Sequence, residues 1–109
     1  MKEISSKEEF DQLIEEKAAV VAYFSHDNCN VCKVLKPKLS EALSAQFPKV
    51  EQAYINIEKI PELAGQHRIF TVPVVLLFLE GKENLRKSRN FGIGEVIDYI
   101  ERPYSIMFE

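Results

Sequence analysis

The stretch SHDNCNVCKVLKP, Ser25–Pro37, holds both cysteines of the chain, Cys29 and Cys32, and follows directly on the apolar run AVVAYF, Ala19–Phe24. From Ala18 to Ser25 the residues are apolar, β-branched or aromatic with no polar alternation. That pattern predicts a central strand buried on both faces. After the cysteines the apolar positions become Val31, Leu35, Leu39, Ala42, Leu43 and Phe47, which is helical spacing. Pro37 falls inside this run, and the backbone hydrogen bond it removes predicts a kink about a turn and a half into the helix. Cys29 therefore belongs at the carboxyl end of a strand and in the first turn of the helix that follows. Unpaired amides and the positive end of the helix dipole favour an anion there, so the Cys29 thiolate is more accessible than that of a free thiol. Cys32 lies one helical turn further on, within disulfide reach.

Three readings of the pair follow: a redox couple, part of a metal site, or two neighbouring core residues. Zinc asks for four ligands, and His26, Cys29, Cys32 and His67 are the one soft set available. Nothing in the sequence brings His67 to the other three, so no metal is expected. In the redox reading Cys29, at the exposed tip, attacks a substrate disulfide, and Cys32, deeper in the helix, attacks the mixed disulfide and releases the product. A partly protonated His26 upstream would favour the thiolate of Cys29, against the plainer reading of a solvated loop histidine.

The rest of the chain supplies a fold for this segment. Ser6 with Glu9 three residues later has the form of a capping box, and Phe10, Leu13 and Ile14 give the inward face of a first helix. Val50 to Ile57 reads as a second buried strand, and Pro61 opens a short helix to about His67. TVPVVLLFLEGKE, Thr71–Glu83, predicts a strand and a glycine turn at Gly81, with a return strand through about Arg89. Gly94 and Glu95 begin a last helix with Val96, Ile97 and Ile100 inward, stopped by Pro103. The tail YSIMFE after it is apolar enough to pack back on the domain, with a dimer contact as the second option. Strands separated by helices imply parallel pairs with right-handed crossovers, and the closing hairpin adds an antiparallel edge. The class is α/β, a central mixed four-stranded sheet with helices on both faces, leaving room for a fifth short strand at the N-terminus.

At 109 residues and 46% hydrophobic, the chain fits one domain over residues 1–109 whose core needs no disulfide to fold. MKEISSKEEF, Met1–Phe10, shows no apolar signal core, so a cytoplasmic, thiol-reducing setting is expected. No apolar run approaches the roughly 20 residues of a bilayer span. A net charge of −3 gives no electrostatic footprint for nucleic acid. The basic cluster Lys82, Arg86, Lys87 and Arg89 reads as a solvated edge strand, ahead of a docking patch for an acidic partner.

A CxxC becomes specific when other features stand in register with it. Here those are the preceding strand, Pro37 in the same helix, TVP before an apolar strand, and FGI, Phe91–Ile93, before the last helix. In these features the sequence resembles the thioredoxin superfamily, from about the first helix to Pro103. The resemblance implies the thioredoxin fold, with Pro73 a cis-proline beside the cysteines and Val72 pairing by its backbone with a bound substrate strand. Phe91, Gly92 and Ile93 complete the docking rim. It also implies a monomeric thiol-disulfide oxidoreductase that exchanges its dithiol with protein disulfides. The reductant would be thioredoxin reductase or a low-molecular-weight thiol, and no cofactor is needed beyond the redox-active disulfide. The alternative is a binding or redox-sensing module that uses the same groove without turnover. The sequence departs from the family in four places. Asn30-Val31 stands between the cysteines in place of Gly-Pro, and Asn28 replaces the usual tryptophan. Tyr23 and Tyr54 occupy the positions of the family's buried aspartate and its partner lysine. A tyrosine with an ordinary pKa near 10 is no base at neutral pH, though its hydroxyl can hold a water.

Overall fold

The computed structural model describes residues 1–88 and 91–108. The expected order of elements is present, preceded by one short strand: β1 (Lys2–Glu3), α1 (Lys7–Glu16), β2 (Ala19–Ser25), α2 (Asn30–Gln46), β3 (Glu51–Asn56), α3 (Pro61–Gln66), β4 (Val74–Leu79), β5 (Lys82–Ser88) and α4 (Ile93–Phe108). The strands form one mixed sheet in the order β1-β3-β2-β4-β5.

β2 is the centre of this sheet, and all seven of its residues are buried. Its side chains alternate between two cores. Val20, Ala22 and Phe24 join Phe10, Leu13 and Leu63 from α1 and α3 on one face, while Val21 and Tyr23 join Cys32, Leu39, Leu43, Val96, Ile97 and Ile100 from α2 and α4 on the other. A strand with apolar partners on both faces has no place for polar alternation, which is why its sequence is continuously apolar.

Helix α1 begins as its sequence implies, with the Glu9 amide donating to Ser6 Oγ at 3.1 Å. The reciprocal bond is displaced by one residue, since the Glu9 carboxylate accepts from the amide of Ser5. The hairpin joining β4 to β5 turns at Glu80 and Gly81, with φ of 53° and 81°, the left-handed conformations a tight two-residue turn requires.

Three expectations are corrected. β4 runs antiparallel to β2, although α3 separates it from β3 and a parallel pair was the expectation. α3 has only six residues, roughly 9 Å of helix, against roughly 20 Å for a six-residue strand. It crosses the end of the sheet without returning the chain to the start, so β4 sets off in the opposite direction. Val31 is not a core position but is 62% exposed. The buried face of α2 is set by Cys32, Leu39 and Leu43, and Val31 lies roughly 80° around the helix from Leu39. Pro103 does not stop the last helix, which continues to Phe108. Proline there removes one backbone bond, and packing offsets the loss: Tyr104, Met107 and Phe108 lie against the α2–α4 core, with the Tyr104 ring 4.9 Å from that of Phe47. The fifth short N-terminal strand for which the sequence left room is β1, which pairs in parallel with β3 through Lys2 opposite Ala53 and Glu3 opposite Tyr54.

The basic edge strand is tied down locally. Arg86 pairs with Glu83 at 2.9 Å and donates to the carbonyls of His67 and Arg68. Lys87 pairs with Glu95 at 2.8 Å. Arg89, where the return strand and the basic cluster were expected to end, lies outside the described residues.

Candidate active site

β2 delivers the chain to the end of the sheet, and the turn His26–Asn28 leads into α2. Cys29 is the N-cap of α2, with non-helical backbone and its Sγ accepting from the amide of Cys32 at 3.2 Å. Its own amide donates to the carbonyl of His26 at 3.3 Å, and its carbonyl accepts from Lys33 at 3.2 Å. Cys29 and Cys32 are joined as a disulfide, with Cα atoms 5.2 Å apart. The two sulfurs have different surroundings: Cys32 is 1% exposed within the α2–α4 core, whereas Cys29 is partly exposed at its rim. In the reduced state an N-cap thiolate faces an amide donor and the positive end of a 17-residue helix, both of which favour its charge.

The other residues singled out by sequence divide into those near the pair and those elsewhere. Val72, Phe91 and Ile93 are partly buried side chains on the same core as Cys29. The Val72–Pro73 peptide bond is cis, and Pro73 is buried. Gly92 is exposed, with nothing within 4 Å of where a Cβ would be. His26 is partly buried, and its Nδ1 accepts from the amide of Asn28 at 3.2 Å. His67 is on the opposite face of the sheet, its ring 5.4 Å from that of Phe10, so the soft ligand set weighed for zinc does not converge.

Tyr23 and Tyr54 face each other across the β2–β3 pair, with rings stacked at 6.3 Å. The Tyr23 hydroxyl donates to the carbonyl of Cys32 at 3.0 Å. Burial first, and the neighbouring Tyr54 second, push the Tyr23 phenol well above its ordinary range. It stays protonated at any working pH.

Sequence reasoning passed over three neighbours of the pair. A cavity of about 150 Å³ behind the disulfide is lined by Ser25, His26, Asp27, Cys32, Lys33, Lys36 and Tyr54. Lys36 places its Nζ 4.0 Å from the centroid of the Tyr54 ring. Asn56, 2% exposed, donates through Nδ2 to the Asp27 carboxylate at 3.2 Å, and its Oδ1 accepts the amides of Glu58 and Lys59. The i, i+4 spacing of Cys32 and Lys36 was the available signal for the lysine; nothing in the sequence joins Asn56 to Asp27.

A CxxC disulfide at a helix start, carried by a mixed sheet with helices on both faces, defines a dithiol–disulfide exchange protein. The thioredoxin family model matches residues 2–101. The chain is 37% identical over 84 residues to the thioredoxin-like protein YdfQ of Bacillus subtilis, covering 77% of this chain and 74% of that one. It is 34% identical over 83 residues to the thioredoxin of Chlamydia trachomatis, covering 76% of this chain and 79% of the relative. Among solved structures, Plasmodium falciparum thioredoxin superposes with a TM-score of 0.85 at 20% identity, over 94% of this chain and 98% of that one. The chain belongs to the thioredoxin family and is a thiol-disulfide oxidoreductase.

Proposed function

We propose that residues 1–109 act as one thioredoxin-like domain in which Cys29 is the nucleophile and Cys32 the resolving thiol. The observation behind this division is the contrast between a partly exposed N-cap sulfur and a partner that is 1% exposed. Cys29 attacks a protein disulfide and forms a mixed disulfide; Cys32 then displaces the substrate and closes the Cys29–Cys32 bond. Val72, Pro73, Phe91, Gly92 and Ile93 form the groove for an extended substrate segment, which adds to the free backbone of Val72 as a strand. Electrons are carried on the cysteine pair itself, without a bound cofactor or metal. Thioredoxin reductase or a low-molecular-weight thiol restores the dithiol, and the protein works as a cytoplasmic monomer. No helix among the described residues is long and apolar enough to cross a membrane.

The test is reduction of a protein disulfide with dithiothreitol as electron source, comparing the wild type with Cys29→Ser. Cys29→Ser is expected to fall to the uncatalysed rate, and Cys32→Ser to accumulate mixed disulfides on Cys29 that mass spectrometry identifies. Equal rates for the wild type and Cys29→Ser would sink turnover and leave a binding or sensing module.

A further inference from the structure

Resolution of the mixed disulfide requires Cys32 to lose a proton where its side chain is 1% exposed. Burial in such a place disfavours the thiolate. Among the described residues no side chain is hydrogen-bonded to the Cys32 sulfur to take this proton. Tyr23 is protonated and engaged with the Cys32 carbonyl. The Nδ1 of His26 already accepts from Asn28, so a neutral imidazole carries its proton on Nε2 and has no lone pair left to offer. Asp27 lines the same cavity but is exposed, and its carboxylate accepts from Asn56 Nδ2 at 3.2 Å.

Two cations line the cavity behind Cys32, Lys33 and Lys36. Lys33 is exposed. Lys36 is partly buried and lies four residues after Cys32 on α2, so the two side chains share a helix face. Its ammonium is anchored 4.0 Å over the Tyr54 ring, an attraction that fixes a cation with little loss of charge.

We propose that the Lys36 ammonium, held on the Tyr54 ring, stabilises the Cys32 thiolate as it forms and so sets the rate of resolution. The proposal rests on the redox reading of the cysteine pair. In the step itself the Cys32 thiol gives its proton to water and its sulfur attacks Cys29 Sγ. The bond from Cys29 Sγ to the substrate sulfur breaks, and the substrate leaves as a thiolate with the electron pair. Over the two exchange steps together the cysteine pair is oxidised by two electrons and the substrate disulfide is reduced by two. Lys36 makes and breaks no bond. Its charge acts across a site partly closed to water, where attraction between ammonium and thiolate is stronger than in bulk.

The experiment titrates the Cys32 thiolate by its ultraviolet absorbance in the Cys29→Ser chain, where Cys32 is the one thiol. Lys36→Met should lower the thiolate fraction at neutral pH by about tenfold, the low end for a lost opposite charge because Lys36 is partly solvated. Lys36→Arg should restore it, since the guanidinium keeps the charge and stacks on the ring. Lys33→Met should change it by less than about threefold, as expected of a screened charge. With both cysteines intact, Lys36→Met should slow mixed-disulfide decay by about tenfold at neutral pH and converge with the wild type at alkaline pH. A titration unmoved by Lys36→Met, an equal shift from Lys33→Met, or decay slowed equally at every pH would each overturn the proposal. The titration needs no turnover, so a wild type unable to reduce disulfides would refute the redox reading while leaving the thiolate measurement readable.

Discussion

The hydroxyl of Tyr23 donates a 3.0 Å hydrogen bond to the carbonyl of Cys32, tying the central strand to the first turn of α2. At this position the family resemblance implies an ionisable acid; the chain has a neutral donor committed to the backbone. Its role is to hold the cysteine helix in place. Tyr23→Phe should therefore cost about 1 kcal/mol of stability, the usual net value of one buried hydrogen bond. Release of product should keep its wild-type pH profile. Urea denaturation and single-turnover decay against pH check the two halves; a profile displaced in Tyr23→Phe would restore a proton-handling role to the phenol.

The unequal surroundings of the two sulfurs predict unequal reactivity. In the reduced protein at neutral pH an alkylating reagent should modify Cys29 at least about tenfold faster than Cys32, because thiolate character and access both favour the N-cap sulfur. Mass spectrometry of partly modified protein reads the ratio directly. Equal labelling, or faster labelling of Cys32, would reverse the assigned roles.

Gly92 offers a test of the proposed groove that spares the fold. A Cβ at this position meets nothing within 4 Å, so Gly92→Ala should leave the melting temperature unchanged or slightly raised through a less flexible unfolded chain. If Gly92 borders the bound substrate, the same methyl group should raise KM for a protein disulfide several-fold while leaving reaction with a small disulfide intact. Unchanged KM for both would remove Gly92 from the docking rim.

Legibility followed the strength of the local signal. The strand Ala19–Ser25, the cysteine helix and the Glu80–Gly81 turn were readable because burial on two faces, helical spacing and a left-handed glycine each leave a mark within a few residues. β1 left none: two exposed residues join the sheet through backbone pairing with Ala53 and Tyr54, which no side-chain pattern records. Pro103 was read as a stop because the rule is local. The helix continues because Tyr104 and Phe108 find Phe47 and the α2–α4 core, contacts distant in sequence. The site divided in the same way. Cys29 and Cys32 carry their chemistry in their spacing, while Lys36 looks like a solvated lysine until Tyr54, on another strand, comes beneath it.

His67 links the other face of the fold to pH. Its ring lies edge-on to Phe10 at 5.4 Å and Phe78 at 5.6 Å, and 6.1 Å from Phe24. Its Nε2 is buried without a hydrogen-bond partner among the described residues. Burial among aromatic rings holds the imidazole below its usual range; Asp11 and Glu83 pull it back up, while Arg86 and Lys7 push it further down. Because the folded-state pKa is depressed, the unfolded chain binds the proton first as pH falls. The stability this histidine contributes is thus complete above the unfolded value near 6.5 and is lost as pH drops through the folded value. His67→Phe removes the titrating group and puts a fourth ring among the phenylalanines. Its melting temperature should fall less than that of the wild type between about pH 7.5 and pH 5.5, roughly one pH unit either side of the ordinary histidine value. It should also match or exceed the wild type at the acid end, where protonation of the wild-type ring opposes its burial. Disulfide reduction at neutral pH should be unaffected, since His67 and Cys32 belong to cores on opposite faces of the sheet. Parallel melting curves for the two proteins across this range would mean that carboxylates elsewhere govern the acid response and that the imidazole gains its proton at the same pH in the folded and the unfolded chain.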